Sequence, residues 1–166
     1  MNKAGGGEAP DRRRELTGYV VLGVGVGALI DGFVLHQLLQ WHHLVSSKTT
    51  DQTVSGLETN TLADGIFHSA SLVVLLIGVG LLLGRRLEPR PLIGLALVGW
   101  GVFNVVDQLL FHLALEAHHI REGVDNYLVY DWGFFALGIV LIAVGSLIAR
   151  RTGDSSRPSR SEGTDL

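Results

Sequence analysis

The sequence predicts an all-α, polytopic membrane protein whose four transmembrane helices are built as two parallel helical-hairpin repeats. Of the 166 residues, 47% are hydrophobic and only 17% are charged, and the mean hydropathy is +0.35. The apolar residues form four long, continuous blocks, each close to the roughly 20 residues that a helix needs to cross a bilayer. The first and third blocks also carry polar residues at matching positions, which indicates an internal duplication.

The apolar blocks set the expected limits of the helices. We expect spans at residues 16–43, 62–83, 91–119 and 127–149. The second and fourth blocks have no polar face for water, which excludes a soluble four-helix bundle. The transmembrane domain then covers residues 16–150, with repeat one at 16–84 and repeat two at 91–150. Segments 1–15 and 151–166 are rich in charged and small residues, so we expect disordered tails.

The basic residues predict the orientation. Eleven of the thirteen Lys and Arg residues lie in the two tails, at the end of the fourth block or in the connection between the second and third blocks. Only Lys48 and Arg121 lie in the other two loops. Because cytoplasmic loops carry an excess of Lys and Arg, we expect a multi-pass plasma-membrane protein with both termini in the cytoplasm. Loops 44–61 and 120–126 then face outward.

The internal repeat pairs residues of the first block with residues of the third block at one constant offset in the sequence. This offset is the number of residues that separates Asp31 from Asp107. The same offset pairs Gly23 with Gly99, His36 with His112, His42 with His118, and His43 with His119. The second and fourth blocks match more weakly at a shorter offset, which pairs Asp64 with Asp131. Parallel repeats of this kind have a pseudo-two-fold axis along the membrane normal and place a site at their interface.

The histidines and carboxylates predict a metal site near the outer face. All seven histidines fall on that side, and ionisable residues inside a membrane mark functional sites. On ideal helices, Asp31, His36, His42 and His43 share one face. With no cysteine in the chain, imidazole and carboxylate ligands favour Zn(II), Cu(II) or Fe(II). The candidate ligands are His36, His68, His112, Asp31, Asp64, Asp107, His42, His43, His118 and His119.

Within this set, His36, His68 and His112 are expected at similar depth on three helices, where they could form the inner ligand shell. Phe135 stands at the position that matches His68, so the site would be asymmetric. A haem held between His36 and His112 is the less favoured cofactor, because it leaves the carboxylates without a role.

Several functions remain open at this point. The leading one is a metal-binding membrane protein of unknown activity, and whether it is an enzyme is undecided. The alternatives are a haem-binding or di-metal membrane oxidoreductase, and a small proton-coupled transporter with Asp31 and Asp107 on its pathway. The lipid bilayer is the expected partner, a homodimer is open, and a net charge of −3 gives no basic surface for nucleic acid.

Three motifs resemble a known family. They are DGFVLHQLLQWHH at residues 31–43, ADGIFH at 63–68, and NVVD at 104–107 followed by His112, His118, His119 and Arg121. They resemble a bacterial and archaeal family of predicted four-helix membrane proteins catalogued as a domain of unknown function. The resemblance covers residues 16–149 and implies the membrane fold without an established activity. It also implies genes near those of terminal oxidases, which favours an accessory or assembly factor for a respiratory complex.

Overall fold

Four long helices make up the computed structural model, which describes residues 8–154. Helix α1 (Glu8–Asp31) continues into a π-helical segment, Gly32–Leu38, and helix α3 (Pro89–Asp107) continues into a second one, Gln108–Ala114. Helices α2 (Val54–Leu82) and α4 (Tyr127–Asp154) complete the bundle. Residues 8–154 contain no β-strand. All four helices are long and apolar enough to cross a membrane, which confirms the predicted all-α membrane architecture.

The distribution of side chains is that of a membrane protein, with polar groups inside and apolar groups outside. The largest fully buried side chains belong to Tyr19, His36, His112, His118, Gln108, Asn60, Asn104 and Asp64. Large apolar side chains such as Leu76 on α2 and Val140 on α4 are more than half exposed. Lipid is the solvent that suits such a surface, because polar groups then have to find partners inside the bundle.

Small residues bring the helices together. Helix α1 packs against α2 and α3, and α3 packs against α4. At Gly23 a Cβ atom would overlap the Ala96 backbone, and at Gly99 it would overlap the Val20 carbonyl. Helices α1 and α3 therefore touch backbone to backbone, as small residues permit in membrane bundles.

The predicted helix limits are wrong at the ends that carry the histidines. The first and third spans were expected to reach residues 43 and 119, but their helices end at Leu38 and Ala114. Gln40 and Glu116 adopt left-handed conformations, with φ values of 50° and 47°. Such a residue ends a helix and reverses the chain. The single-face alignment of Asp31, His36, His42 and His43 on one ideal helix is therefore wrong as well.

Three other helix limits also differ from the prediction. Helix α2 begins at Val54, ahead of the predicted position 62, because the Thr53 side chain caps it by accepting a hydrogen bond from the Gly56 amide. Helix α1 begins at Glu8 and α4 ends at Asp154, so both helices run into segments for which disorder is predicted. The remaining parts of those tails, residues 1–7 and 155–166, lie outside the described residues.

Candidate metal centre

Four histidine rings pack together at one end of the bundle. We call this the histidine end; it comprises the two π-helical segments, loops 39–53 and 115–126, and the N-terminal parts of α2 and α4. The His42 ring lies 4.4 Å from that of His36 between centroids and stacks on His118 at 4.5 Å, and His118 lies 4.4 Å from His112. All four residues are at most 3% exposed. Two of them come from each half of the chain, so the four rings lie where the halves meet.

The first candidate cluster consists of Asp31, His36 and His42. One nitrogen or oxygen atom from each of them lies within 4.8 Å of the others. The Nε2 atom of His36 lies 3.4 Å from an Asp31 oxygen. The other ring nitrogen of His36, Nδ1, lies 2.8 Å from an Asp64 oxygen and donates to it. Two imidazoles and one carboxylate thus converge in a buried position.

The second candidate cluster consists of Asp107, His112 and His118. One nitrogen or oxygen atom from each of these residues again lies within 4.8 Å of the others. His112 Nε2 lies 3.1 Å from an Asp107 oxygen. His112 Nδ1 lies 3.3 Å from an Asp131 oxygen. Each half of the chain therefore contributes one carboxylate and two histidines, joined by corresponding contacts.

Asp64 and Asp131 organise the surroundings of the two clusters. Besides His36, Asp64 accepts from His43 Nδ1 at 2.7 Å and from the Leu44 amide at 2.8 Å. Asp131 likewise accepts from His119 Nδ1 and from the Ile120 amide, both at 2.8 Å. A carboxylate that binds the second nitrogen of a ligating histidine fixes its ring orientation and tautomer. These two aspartates are placed to do so for His36 and His112.

His42 and His118 are held by the opposite half of the chain. His42 Nδ1 donates to the Ile120 carbonyl, and His118 Nδ1 donates to the Leu44 carbonyl, both at 2.9 Å. Burial lowers the pKa of His42 well below its usual value, and burial with the neighbouring His112 lowers the pKa of His118 to about 4. Both rings are therefore neutral near pH 7. Since a carbonyl only accepts, Nδ1 carries the proton and Nε2 keeps the lone pair that a metal binds.

Buried nitrogens in the first cluster have no hydrogen-bond partner. These atoms are the Nε2 atoms of His36 and His42. An unpaired buried polar atom costs about 1–3 kcal/mol, so such atoms are rare in stable proteins. A transition metal ion would take both lone pairs together with an Asp31 oxygen. The donor set therefore fits a metal ion.

The predicted site residues do not all meet in one place. His68 has its ring 6.1 Å from that of His36 and stacks on Phe33 at 5.3 Å. It belongs to none of the groups of three or more potential ligand atoms found among the described residues. The sequence predicts His36, His68 and His112 together, whereas the structure places the rings of His42 and His118 beside His36 and His112.

One residue was missed in the candidate set. Asp131 forms a third potential group with His112 and His119. Its match to Asp64 at the shorter of the two repeat offsets was the signal that could have placed it there. This signal is weak, because the second and fourth blocks share fewer matching residues than the first and third blocks do.

A comparison with known families identifies the protein's relatives. The family model described as "Predicted membrane protein (DUF2243)" matches residues 18–152. The chain belongs to this family, which confirms the resemblance carried by its motifs. No curated protein and no solved structure matches the chain. The family description gives a membrane setting and no activity.

Proposed function

We propose that this membrane protein binds transition metal ions in its two candidate clusters, each of which contains one aspartate and two histidines. The observation that carries the proposal is the state of the ring nitrogens. Nδ1 of His42 and of His118 is bound to a backbone carbonyl, which leaves the Nε2 lone pairs for a metal. The unpaired Nε2 atoms of His36 and His42 support the same conclusion.

The ligand types favour Zn(II), Cu(II) or Fe(II) as the bound metal. Two imidazoles and one carboxylate form a ligand set that leaves coordination positions open, a pattern found in Fe(II) oxygenases. A bound ion would supply Lewis-acid or redox chemistry. Asp64 and Asp131 would hold the rings of His36 and His112, and the lipid-facing helices would keep bulk water away.

The proposal also includes a location in the cell and a role there. We place the protein in the plasma membrane with both termini in the cytoplasm and the histidine end outside, following the Lys and Arg distribution. A metal-binding protein in that position suits an accessory or assembly role for a respiratory complex. The packing argues against haem, because the rings of His42 and His118 fill the region between His36 and His112.

The test is the metal content of the purified full-length protein. We expect bound transition metal in protein from metal-replete cells, and its loss when His42→Ala and His118→Ala are combined. His68→Phe is the matched control, since His68 lies outside both clusters, and it should keep the metal. Thermal unfolding checks that each variant is folded. Wild-type protein free of transition metal would overturn the proposal.

A second candidate function is proton-coupled transport, favoured by a continuous hydrogen-bonded chain. His119, with a 29% exposed side chain, contacts Asp131, which contacts His112, which contacts the buried Asp107. Histidines and carboxylates in such a chain relay protons in membrane transporters. Proton flux in proteoliposomes tests this function. Unchanged flux in the Asp107→Asn variant would reject it.

A further inference from the structure

Helix α3 and the π-helical segment that continues it bury two amide side chains that have no partner. Asn104 and Gln108 are both 0% exposed. None of the nitrogen and oxygen atoms of these two side chains has a hydrogen-bond partner. Because an amide group loses its water on burial, such groups in native proteins are almost always paired with protein, water or ligand. Two adjacent unpaired amides therefore point to something that binds between or beside them.

The two amides lie within one helical turn of Asp107, the carboxylate of the second cluster. Asn104, Asp107 and Gln108 are spaced by three and four residues, so they share one face of the helix. Across the interface, Gly23 packs on Ala96 and Gly27 packs on Trp100. One further turn along these parallel helices brings Asp31 level with Asn104, whose Cβ lies against Gly138 of α4. Asp31 Oδ1 is also buried without a partner.

The first half of the chain has no amides at the corresponding positions. At the offset that pairs Asp31 with Asp107, Asn104 corresponds to Ala28, and Gln108 corresponds to Gly32. The side chains on the α1 side are thus small or absent where those on the α3 side are long and polar. In the first half the His68 ring lies against Gly32, so an imidazole takes the place beside the residue that corresponds to Gln108. The amide pair is therefore particular to the second half.

We infer that Asn104 and Gln108 form a subsite for a small exogenous ligand that donates and accepts hydrogen bonds, with water or hydroxide as its simplest form. The inference rests on the proposed function and deepens it, because the ligand would occupy an open coordination position of a cluster. Each amide offers a carbonyl acceptor and an NH2 donor. Together they would orient a metal-bound ligand from the side of the clusters nearest the middle of the bundle.

The first test uses azide as a probe of the open position in Co(II)-loaded, full-length protein, followed by visible absorption. The variants are Asn104→Leu and Gln108→Met, which keep the volume of the side chains and remove their polar atoms. Each should weaken azide binding about 10- to 100-fold at unchanged cobalt content. Val106→Leu, on the exposed side of the same helix, is the control and should leave azide affinity unchanged. Unchanged affinity in both amide variants overturns the subsite while leaving the metal proposal standing.

The second test does not depend on metal. A high-resolution structure of chelator-treated protein should show an ordered water or small molecule within hydrogen-bond distance of Asn104 and Gln108. If the two amides bond directly to each other or to Asp31, or if the space beside them is dry, the subsite is wrong. This measurement decides the inference even if the purified wild-type protein proves to contain no metal.

Discussion

The imidazole rings of His42 and His118 stack at 4.5 Å with an angle of only 3° between their planes. Each ring donates to a backbone carbonyl from the other half of the chain, His42 to Ile120 and His118 to Leu44. The two loops of the histidine end are thus tied to each other by the same residues that complete the two clusters. Changes in the charge of these rings should affect both the fold and the site.

The first prediction concerns acid. The pKa of His42 and of His118 is lowered in the folded protein, so the unfolded chain takes up protons on these residues first. Stability is then complete above about pH 6.5, the usual histidine value, and is lost as the pH falls towards about 4. Thermal unfolding of chelator-treated protein should show a falling Tm over this range. Combining His42→Gln with His118→Gln should flatten the profile, and an equal Tm for the wild-type protein at both ends of the range would contradict the prediction.

The second prediction concerns the aspartates that hold the histidine rings. Asp64→Asn or Asp131→Asn removes the charge that binds Nδ1 of His36 or His112. Loss of such an outer partner weakens metal affinity about 10- to 100-fold. Competition with a coloured chelator measures the change. Asp125→Asn, in an exposed part of the same end, is the control, and equal affinity in all three variants would disprove the supporting role.

The third prediction concerns helix contact. In Gly23→Ala or Gly99→Ala the new methyl group would overlap the backbone of the facing helix, so α1 and α3 must separate. We expect a loss of about 1–3 kcal/mol of stability, the usual range for overpacking. Gly80→Ala is the matched control, because a Cβ there meets nothing within 4 Å. Detergent unfolding followed by circular dichroism compares the three, and a Gly23→Ala variant as stable as Gly80→Ala would contradict the close contact.

The fourth prediction concerns the contacts that Arg121 makes with two aromatic rings at the histidine end. The Arg121 guanidinium lies 5.1 Å from the ring centres of both Trp41 and Tyr130 and donates to the Tyr130 hydroxyl. Cation–π contacts contribute about 0.5–2 kcal/mol each, so Arg121→Gln should lower the free energy of unfolding by about 1–3 kcal/mol. Lys48→Gln, in the facing loop, provides the comparison. A loss of stability no larger than that of Lys48→Gln would show that the stacked arginine contributes little.

The four helices could be predicted because a bilayer requires long apolar segments, and composition records them directly. The gathering of His36, His42, His112 and His118 was also foreseeable, since the constant offset between the first and third blocks places equivalent groups at one end. The repeat itself stays a prediction. Its spacing nevertheless recurs in the two π-helical segments, whose first residues, Gly32 and Gln108, are separated by that same offset.

The route by which His42 and His118 reach the site could not be predicted. Both follow a helix end where a non-glycine residue, Gln40 or Glu116, adopts a positive φ angle. Neither residue type signals that conformation, because tertiary contacts rather than local preference select it. An ideal helix therefore predicts that these side chains lie together, which the structure shows, but it gives the wrong backbone for them. His68 was predicted to join His36 and His112 because it lies at a similar depth. Equal depth in the membrane, however, does not determine which side chains a ring contacts.

The hydrogen bonds across the two halves also set an order of events during synthesis. The acceptor for His42 is the carbonyl of Ile120, 78 residues further along the chain. At about 5–20 residues per second, that carbonyl is made about 4–16 seconds after the histidine. The first hairpin can enter the membrane during that interval, and it already carries Asp31, His36 and His42. The acceptor that fixes the His42 ring arrives only with the second hairpin, so the proposed first cluster reaches its final geometry after the second hairpin has inserted.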